Sequence, residues 1–200
     1  MNGYKVVSEF EKAVAEYAGS KYAVAVDSCT NAIFLCCKYL QVDKTIIPKK
    51  TYVSVPCAII NAGGKVFFEK NNWLNRRLYQ VKPYPIYDAA HCFKKNMYVK
   101  DSYFCISFSA TKAINIGKGG MILTNNREAA TWFKKARYCG RDEVPLMEDN
   151  FTMIGWNMYM TPEQAARGLI LVQNVNVIKN KKMPEYPDLS KYKVFNAKLH

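Results

Sequence analysis

Residues Tyr22–Leu40 read YAVAVDSCTNAIFLCCKYL: a short apolar run, a small polar turn over Ser28, Cys29, Thr30 and Asn31, then a longer apolar run. The first run has the length of a strand, and the second is most simply a helix. Strand, tight polar turn and helix make half of an α/β unit. The first amides of such a helix, around Thr30 and Asn31, point outward without partners inside the helix and favour an anion there.

Working outward, the same alternation recurs. Upstream, Ser8-x-x-Glu11 predicts a helix start by the capping-box pattern, with Val7, Phe10, Val14 and Tyr17 at helical spacing and Gly19 as the stop. Downstream come a strand over 44–48, the pair Thr51-Tyr52, and a helix opened by Pro56 and closed by Gly63-Gly64. A strand over 65–69 leads into NNWLNRRLYQVKP, which shows no periodicity. Further strands are expected at YPIYD, ending on Asp88, at YFCISF (103–108) and at MILT (121–124). A helix is expected from about 127 to 138, a loop over 141–160, and a capped helix opening at Thr161-Pro162-Glu163-Gln164. After about Val177 the pattern gives way to a lysine-rich tail.

This order predicts a three-layer α/β fold, a mainly parallel sheet with helices on both faces. In such sheets ligands bind beyond the carboxyl ends of the strands. The polar residues gather there: Ser28–Asn31, Thr51-Tyr52, Asp88 with His91, and Lys112 after the run CISFSATK (105–112). An apolar run leads that lysine away from bulk water, which would lower its pKa and free the amine to attack a carbonyl. Taken singly, each of these residues also has a structural reading: a surface lysine, a turn aspartate, a core tyrosine, a satisfied histidine.

Composition bounds the rest. Two hundred residues with 50% apolar content suit one domain with a real core. The net charge of +13 favours an acidic partner such as a phosphorylated cofactor or a nucleotide-bearing substrate. Part of that charge lies in the tail at Lys179, Lys181, Lys182, Lys191, Lys193 and Lys198, which reads as a solvated segment rather than a nucleic-acid site. Seven cysteines without a CxxC pair, and only two histidines, point to a reduced cytoplasmic protein without structural zinc. No apolar run reaches the roughly 18 residues that a membrane span needs.

Together the positions suit a pocket for pyridoxal 5'-phosphate, which needs a lysine for its aldehyde, an acid beside its ring nitrogen and an anion site. Lys112, Asp88, and Thr30 and Asn31 with Ser107 fill those parts; Tyr52 could cover the ring and His91 could hydrogen-bond beside it. The order of motifs resembles the DegT/DnrJ/EryC1/StrS sugar aminotransferases, pyridoxal-phosphate enzymes of fold type I. The matching stretches are FEKAVAEYAGSKYAVAVDSCTNA, IIPKKTYVSVPCAIINAGGKVFF, YDAAHCF, FSATKAINIGKGGMILTN and GWNMYMTPEQAARG. The resemblance implies that Asp88 pairs with the ring nitrogen and Lys112 is the Schiff-base residue. It places Ser107 in the same run, Tyr52 on the ring face, and Asn157 across a homodimer interface on the neighbour's phosphate.

It also implies transfer of an amino group from an amino acid, glutamate above all, to a keto-sugar, by a ping-pong route. The alternative is a reduced member that binds the cofactor and serves as a regulatory or assembly subunit. The chain departs from the family between Phe68 and Tyr84, where a long segment is nearly gone, and at Lys118 and Tyr159, where the family has glutamate and arginine. The reading expects no counterpart of the small C-terminal domain, and divides the chain into a shortened large domain over 1–177 and a basic tail over 178–200.

Overall fold

The computed structural model describes residues 4–175 and 183–195. Of the tail lysines, Lys179, Lys181, Lys182 and Lys198 lie outside the described residues. Among the described residues, seven strands and five α-helices follow in the order α1 (Lys5–Ala18), β1 (Tyr22–Val26), α2 (Cys29–Tyr39), β2 (Lys44–Pro48), α3 (Ser54–Asn61), β3 (Lys65–Glu69), β4 (Tyr79–Val81), β5 (Ile86–Asp88), β6 (Tyr103–Ser107), β7 (Gly120–Thr124), α4 (Arg127–Ala136) and α5 (Pro162–Val172).

Five strands form one sheet in the order β1-β7-β6-β5-β4, and β2 pairs with β3 in parallel. A bridge between Ile46 and Lys82, with N–H···O distances of 2.8 and 3.1 Å, continues the sheet from β4 to β2. Through these pairings β1, β2, β3, β5 and β6 run one way and β4 and β7 run against them. The carboxyl ends of β1, β2, β5 and β6 therefore share one edge.

Alternation along the strands builds a core on each face. Val24, Val26, Cys105 and Ile122 point into the cluster that holds Ile33, Leu35, Ile59 and Phe133 from α2, α3 and α4. Ala23, Ala25, Phe104, Ile106 and Leu123 point the other way, toward Phe10 and Val14 of α1 and Ala165 and Val172 of α5. That is the expected three-layer arrangement.

Three local expectations are revised. Helix α1 begins at Lys5, with no side-chain cap, so Ser8 is inside it and Glu11 faces inward. The buried Glu11 carboxylate accepts the Ala25 N–H (2.8 Å) and pairs with the buried Arg137. A capping box is a four-residue pattern that a helix interior also produces, and here the ion pair decides which way Glu11 turns. Helix α3 starts at Ser54, so Pro56 lies within its first turn and does not open it. The segment over 71–83, without periodicity in sequence, supplies β4. A parallel neighbour would need a crossover of about a dozen residues or more; the chain instead turns through Trp73–Asn75 and returns antiparallel. The other termini agree: Gly19 ends α1 at φ 82°, and Thr161 and Gln164 cap α5 reciprocally.

Residues 183–195 return to the main body. Leu189 donates its N–H to the Lys49 carbonyl (2.7 Å), Lys49 pairs with Asp188 (2.6 Å), and Leu189 and Phe195 are buried. Among the described residues no helix is long and apolar enough to cross a membrane.

Candidate active site

A cavity of about 720 Å³ opens at the shared edge of the sheet. Its floor is Asp88, at the end of β5, with His91 in the turn beyond it. Lys112 enters from the loop between β6 and β7, which is folded back by the Ala110 N–H on Gly117 O (3.1 Å) and the Phe108 N–H on Gly119 O (2.9 Å). Ser28, Cys29 and Thr30, at the start of α2, form one wall, and Thr51 and Tyr52 form another.

Packing brings the start of α2 to this point. A Cβ on Gly120, the first residue of β7, would stand 2.4 Å from the backbone of Ser28 and Cys29, so glycine lets β7 run directly against the turn. Ser28 caps the helix by accepting the Asn31 N–H (3.2 Å), and Thr30 Oγ1 donates to Ser54 Oγ of α3 (2.8 Å).

The electrostatics follow from burial. Asp88 is 6% exposed, and burial raises its pKa against the opposing Ala90 N–H (3.0 Å), Tyr79 hydroxyl and Lys112 charge. Burial lowers the pKa of Lys112, with Asp88 pulling it the other way. Lys112 Nζ lies 2.7 Å from His91 Nε2. His91 is held down at about 4, by burial first and then by the positive charges of Lys112 and Arg77. At neutral pH the site thus contains a neutral imidazole, an amine whose proton is loosened, and a carboxylate short of solvation.

Thr30, Tyr52, Asp88, His91, Ser107 and Lys112, all expected from the sequence, line this one cavity. Asn31 does not: its amide serves the Ser28 cap, and its side chain donates to Asp27 Oδ1 (2.6 Å). Asn157 is exposed, away from the cavity lining, on a strand-like bridge to Tyr138.

Sequence reasoning missed several neighbours. Tyr79 of β4 shares a hydrogen bond with Thr51 Oγ1 (2.6 Å) and acts on Asp88; its only sequence signal is the alternation of Tyr79 and Val81, too short to count as a period. Trp73 is fixed by its indole N–H on Lys50 O (2.8 Å). Tyr186 stacks on Trp73 (5.8 Å between centroids) and lies 2.8 Å by its hydroxyl from His91 Nε2. Its signal was an aromatic between Pro184 and Pro187 in an otherwise charged tail.

The sequence matches the DegT/DnrJ/EryC1/StrS aminotransferase family over residues 1–73 and 85–188. The chain belongs to that family. The unmatched interval, 74–84, contains β4, the antiparallel replacement, and the match runs beyond 177 into the segment that carries Tyr186. Among its relatives, GDP-perosamine synthase of Caulobacter vibrioides is 27% identical over 86% of this chain and 57% of its own length. A UDP-4-amino-4,6-dideoxy-N-acetyl-beta-L-altrosamine transaminase of Campylobacter jejuni is 26% identical over 84% of this chain and 57% of its own. The fold also matches Helicobacter pylori PseC, an aminotransferase of pseudoaminic acid biosynthesis, with a TM-score of 0.73 at 19% identity over 86% of this chain and 58% of that one. The chain thus spans little more than half the length of these relatives.

The donor set fits pyridoxal phosphate. A buried carboxylate lacking solvation suits a cationic ring nitrogen, a primary amine with lowered proton affinity suits an aldehyde, and hydroxyls of Ser28, Thr30, Ser107 and Ser109 line the cavity by a helix start.

Proposed function

We propose that this chain is a pyridoxal-phosphate-dependent aminotransferase that moves an amino group from an amino acid, glutamate, to a keto-sugar, the sugar being nucleotide-linked. The observation that carries the reading is the convergence of Lys112, Asp88 and His91 in one cavity, in a chain whose family consists of aminotransferases. The relatives' names supply the sugar class, and the net charge of +13 suits an acidic substrate.

When bound, pyridoxal phosphate supplies an aldehyde for the amino group and a ring that accepts the electron pair left at the donor's Cα. Asp88 would place negative charge beside the ring nitrogen and keep it protonated. Lys112 Nζ would take the proton from the donor's Cα, a role that burial favours by lowering its pKa. Ser107 and Ser109 hydroxyls, and that of Thr30 once its proton turns from Ser54, would hold the phosphate, and Tyr52 would cover a ring face. His91 accepts from Lys112 Nζ and orients it. Exposed Asn157 is free of the cavity of its own chain and suits a contact with a second copy, in a homodimer with shared sites. Seven free cysteines support a cytoplasmic setting.

The alternative is a cofactor-binding subunit that works beside another chain, since the groups gathered in this cavity account for holding the cofactor and not for choosing a sugar or a donor. Visible absorption decides between them. A band that forms on adding pyridoxal phosphate, is absent in Lys112→Ala and is bleached by glutamate supports the transferase. A band untouched by a panel of amino donors supports the binding subunit, and no band removes both.

A further inference from the structure

Residues 183–195 follow α5 in the chain, and Pro184, Glu185, Tyr186 and Pro187 line the cavity, so this segment contributes to the site. Three kinds of contact hold the segment there. Asp188 pairs with Lys49 (2.6 Å), the Leu189 N–H bonds to Lys49 O (2.7 Å), and Leu189 and Phe195 are buried. Tyr186 is thereby set against Trp73, with its hydroxyl 2.8 Å from His91 Nε2.

That nitrogen has two suitors. Lys112 Nζ stands 2.7 Å away and Tyr186 Oη 2.8 Å away. An unprotonated imidazole nitrogen has a single lone pair, so it accepts fully from only one donor at a time. Burial, then Asp88 and Tyr52, pushes the Tyr186 phenol up to about 12, so it keeps its proton and remains a donor at neutral pH. Lys112 is also the group that must leave His91 to meet a carbonyl.

We propose that Tyr186, carried in by the C-terminal segment, is a positioning residue that takes over His91 Nε2 whenever Lys112 departs, keeping the imidazole neutral and fixed. The proposal rests on the reading of this cavity as the reaction site. Without Tyr186, each departure of Lys112 would leave a half-buried ring nitrogen without a donor, free to rotate or to take up a proton. With it, the hydrogen bond passes from the amine to the phenol, and Lys112 returns to a nitrogen still in place. Among the described residues, the charged and titratable groups that act on His91 are Lys112, Arg77 and Tyr186, and Trp73 faces it without charge.

His91 and His200 are the only histidines, so the imidazole can be followed directly in the full chain by NMR with labelled histidine. The comparison is Lys112→Ala against Lys112→Ala with Tyr186→Phe. Both lack the amine, and the phenyl ring preserves the stacking on Trp73. In Lys112→Ala, Nε2 is expected to show the shift of a hydrogen-bond acceptor. In the double variant that signature disappears and the His91 midpoint rises by about half a pH unit or more, since a donor to the neutral form is lost. Asp188→Ala in the same Lys112→Ala background unfastens the segment outside the cavity and is expected to move His91 in the same direction.

Superimposable His91 titrations with and without the Tyr186 hydroxyl overturn the assignment. An unmoved His91 in the Asp188 variant alone overturns the anchoring through Lys49. Neither result depends on cofactor binding. A failed absorption experiment would remove the proposed function and leave this measurement standing, whereas a normal band beside an unmoved His91 would remove only the role of Tyr186.

Discussion

At the scale of single residues the site is a problem of solvation. Asp88 and Lys112 are each pushed toward their neutral forms by burial, and each is the other's partial remedy. A cationic ring beside Asp88 would complete the remedy, which is why the cavity suits pyridoxal phosphate better than a neutral ligand. Asp88→Asn keeps the shape and removes the charge. It is expected to lower the rate of the glutamate half-reaction by about a hundredfold or more, the scale on which loss of one well-placed electrostatic partner acts. Stopped-flow loss of the visible band checks this, and an unchanged rate would show that Asp88 does not serve the ring. The lowered pKa of Lys112 carries a sign as well: the rate should rise with pH and level off below the ordinary lysine value of 10.5.

Between elements, two contacts fix where the functional turns sit. Gly120 allows β7 to touch the start of α2, and a methyl group there would collide with backbone that has no room to retreat. Gly120→Ala is expected to cost about 1–3 kcal/mol, as overpacking does, read from the midpoint of urea unfolding. It should also weaken phosphate binding, because the Ser28–Thr30 turn is what moves. The second contact is the ion pair of Glu11 and Arg137, which ties α1 to α4 and, through the Ala25 N–H, to β1. Both side chains are nearly solvent-free, so Glu11→Ala leaves a buried guanidinium with Glu143 as its one charged partner among the described residues. A loss of about 3–5 kcal/mol is expected by the same unfolding measurement, against a much smaller loss for Lys82→Ala at the more exposed Glu69 pair.

For the whole molecule, the acid side of the stability profile should report His91. Its folded pKa, about 4, lies below the ordinary 6.5. Between those values the unfolded chain binds a proton that the folded chain does not. Stability from this group is therefore complete above about pH 6.5, falls as the pH is lowered, and stops falling below about 4. Thermal unfolding of the cofactor-free protein across that window should show the slope, and His91→Gln should flatten it. The Lys49–Asp188 latch behaves differently: Asp188 is held down at about 2, chiefly by Lys49 and Ser190, so the segment should stay fastened across the whole window. A Leu189 amide that lost its protection from hydrogen exchange near pH 5 would show the latch opening too early.

Several features were legible because they depend on neighbours in sequence. The alternation of short apolar runs, polar turns and helical stretches specified a three-layer α/β fold. The rule that ligands sit beyond strand ends then placed Asp88, His91, Ser107, Thr30 and Lys112 in one pocket. Thr161-Pro162-Glu163-Gln164 declared its helix, since a cap is a local hydrogen-bond exchange. The rest required contacts between distant segments. Nothing near Glu11 tells that Arg137 awaits it, so a capping pattern was read where an ion pair stands. Nothing in NNWLNRRLYQVKP tells that a three-residue strand will fill the sheet between β2 and β5; the open edges of those strands select it. Asn31 looked available until the Ser28 cap and Asp27 engaged it. Tyr186 lies 95 positions from His91, and only the return of the chain over the cavity brings them to 2.8 Å. The local pattern determined which chemistry the strand ends present; the tertiary structure decided which partners each group meets, because burial and charge pairing are properties of the assembled pocket.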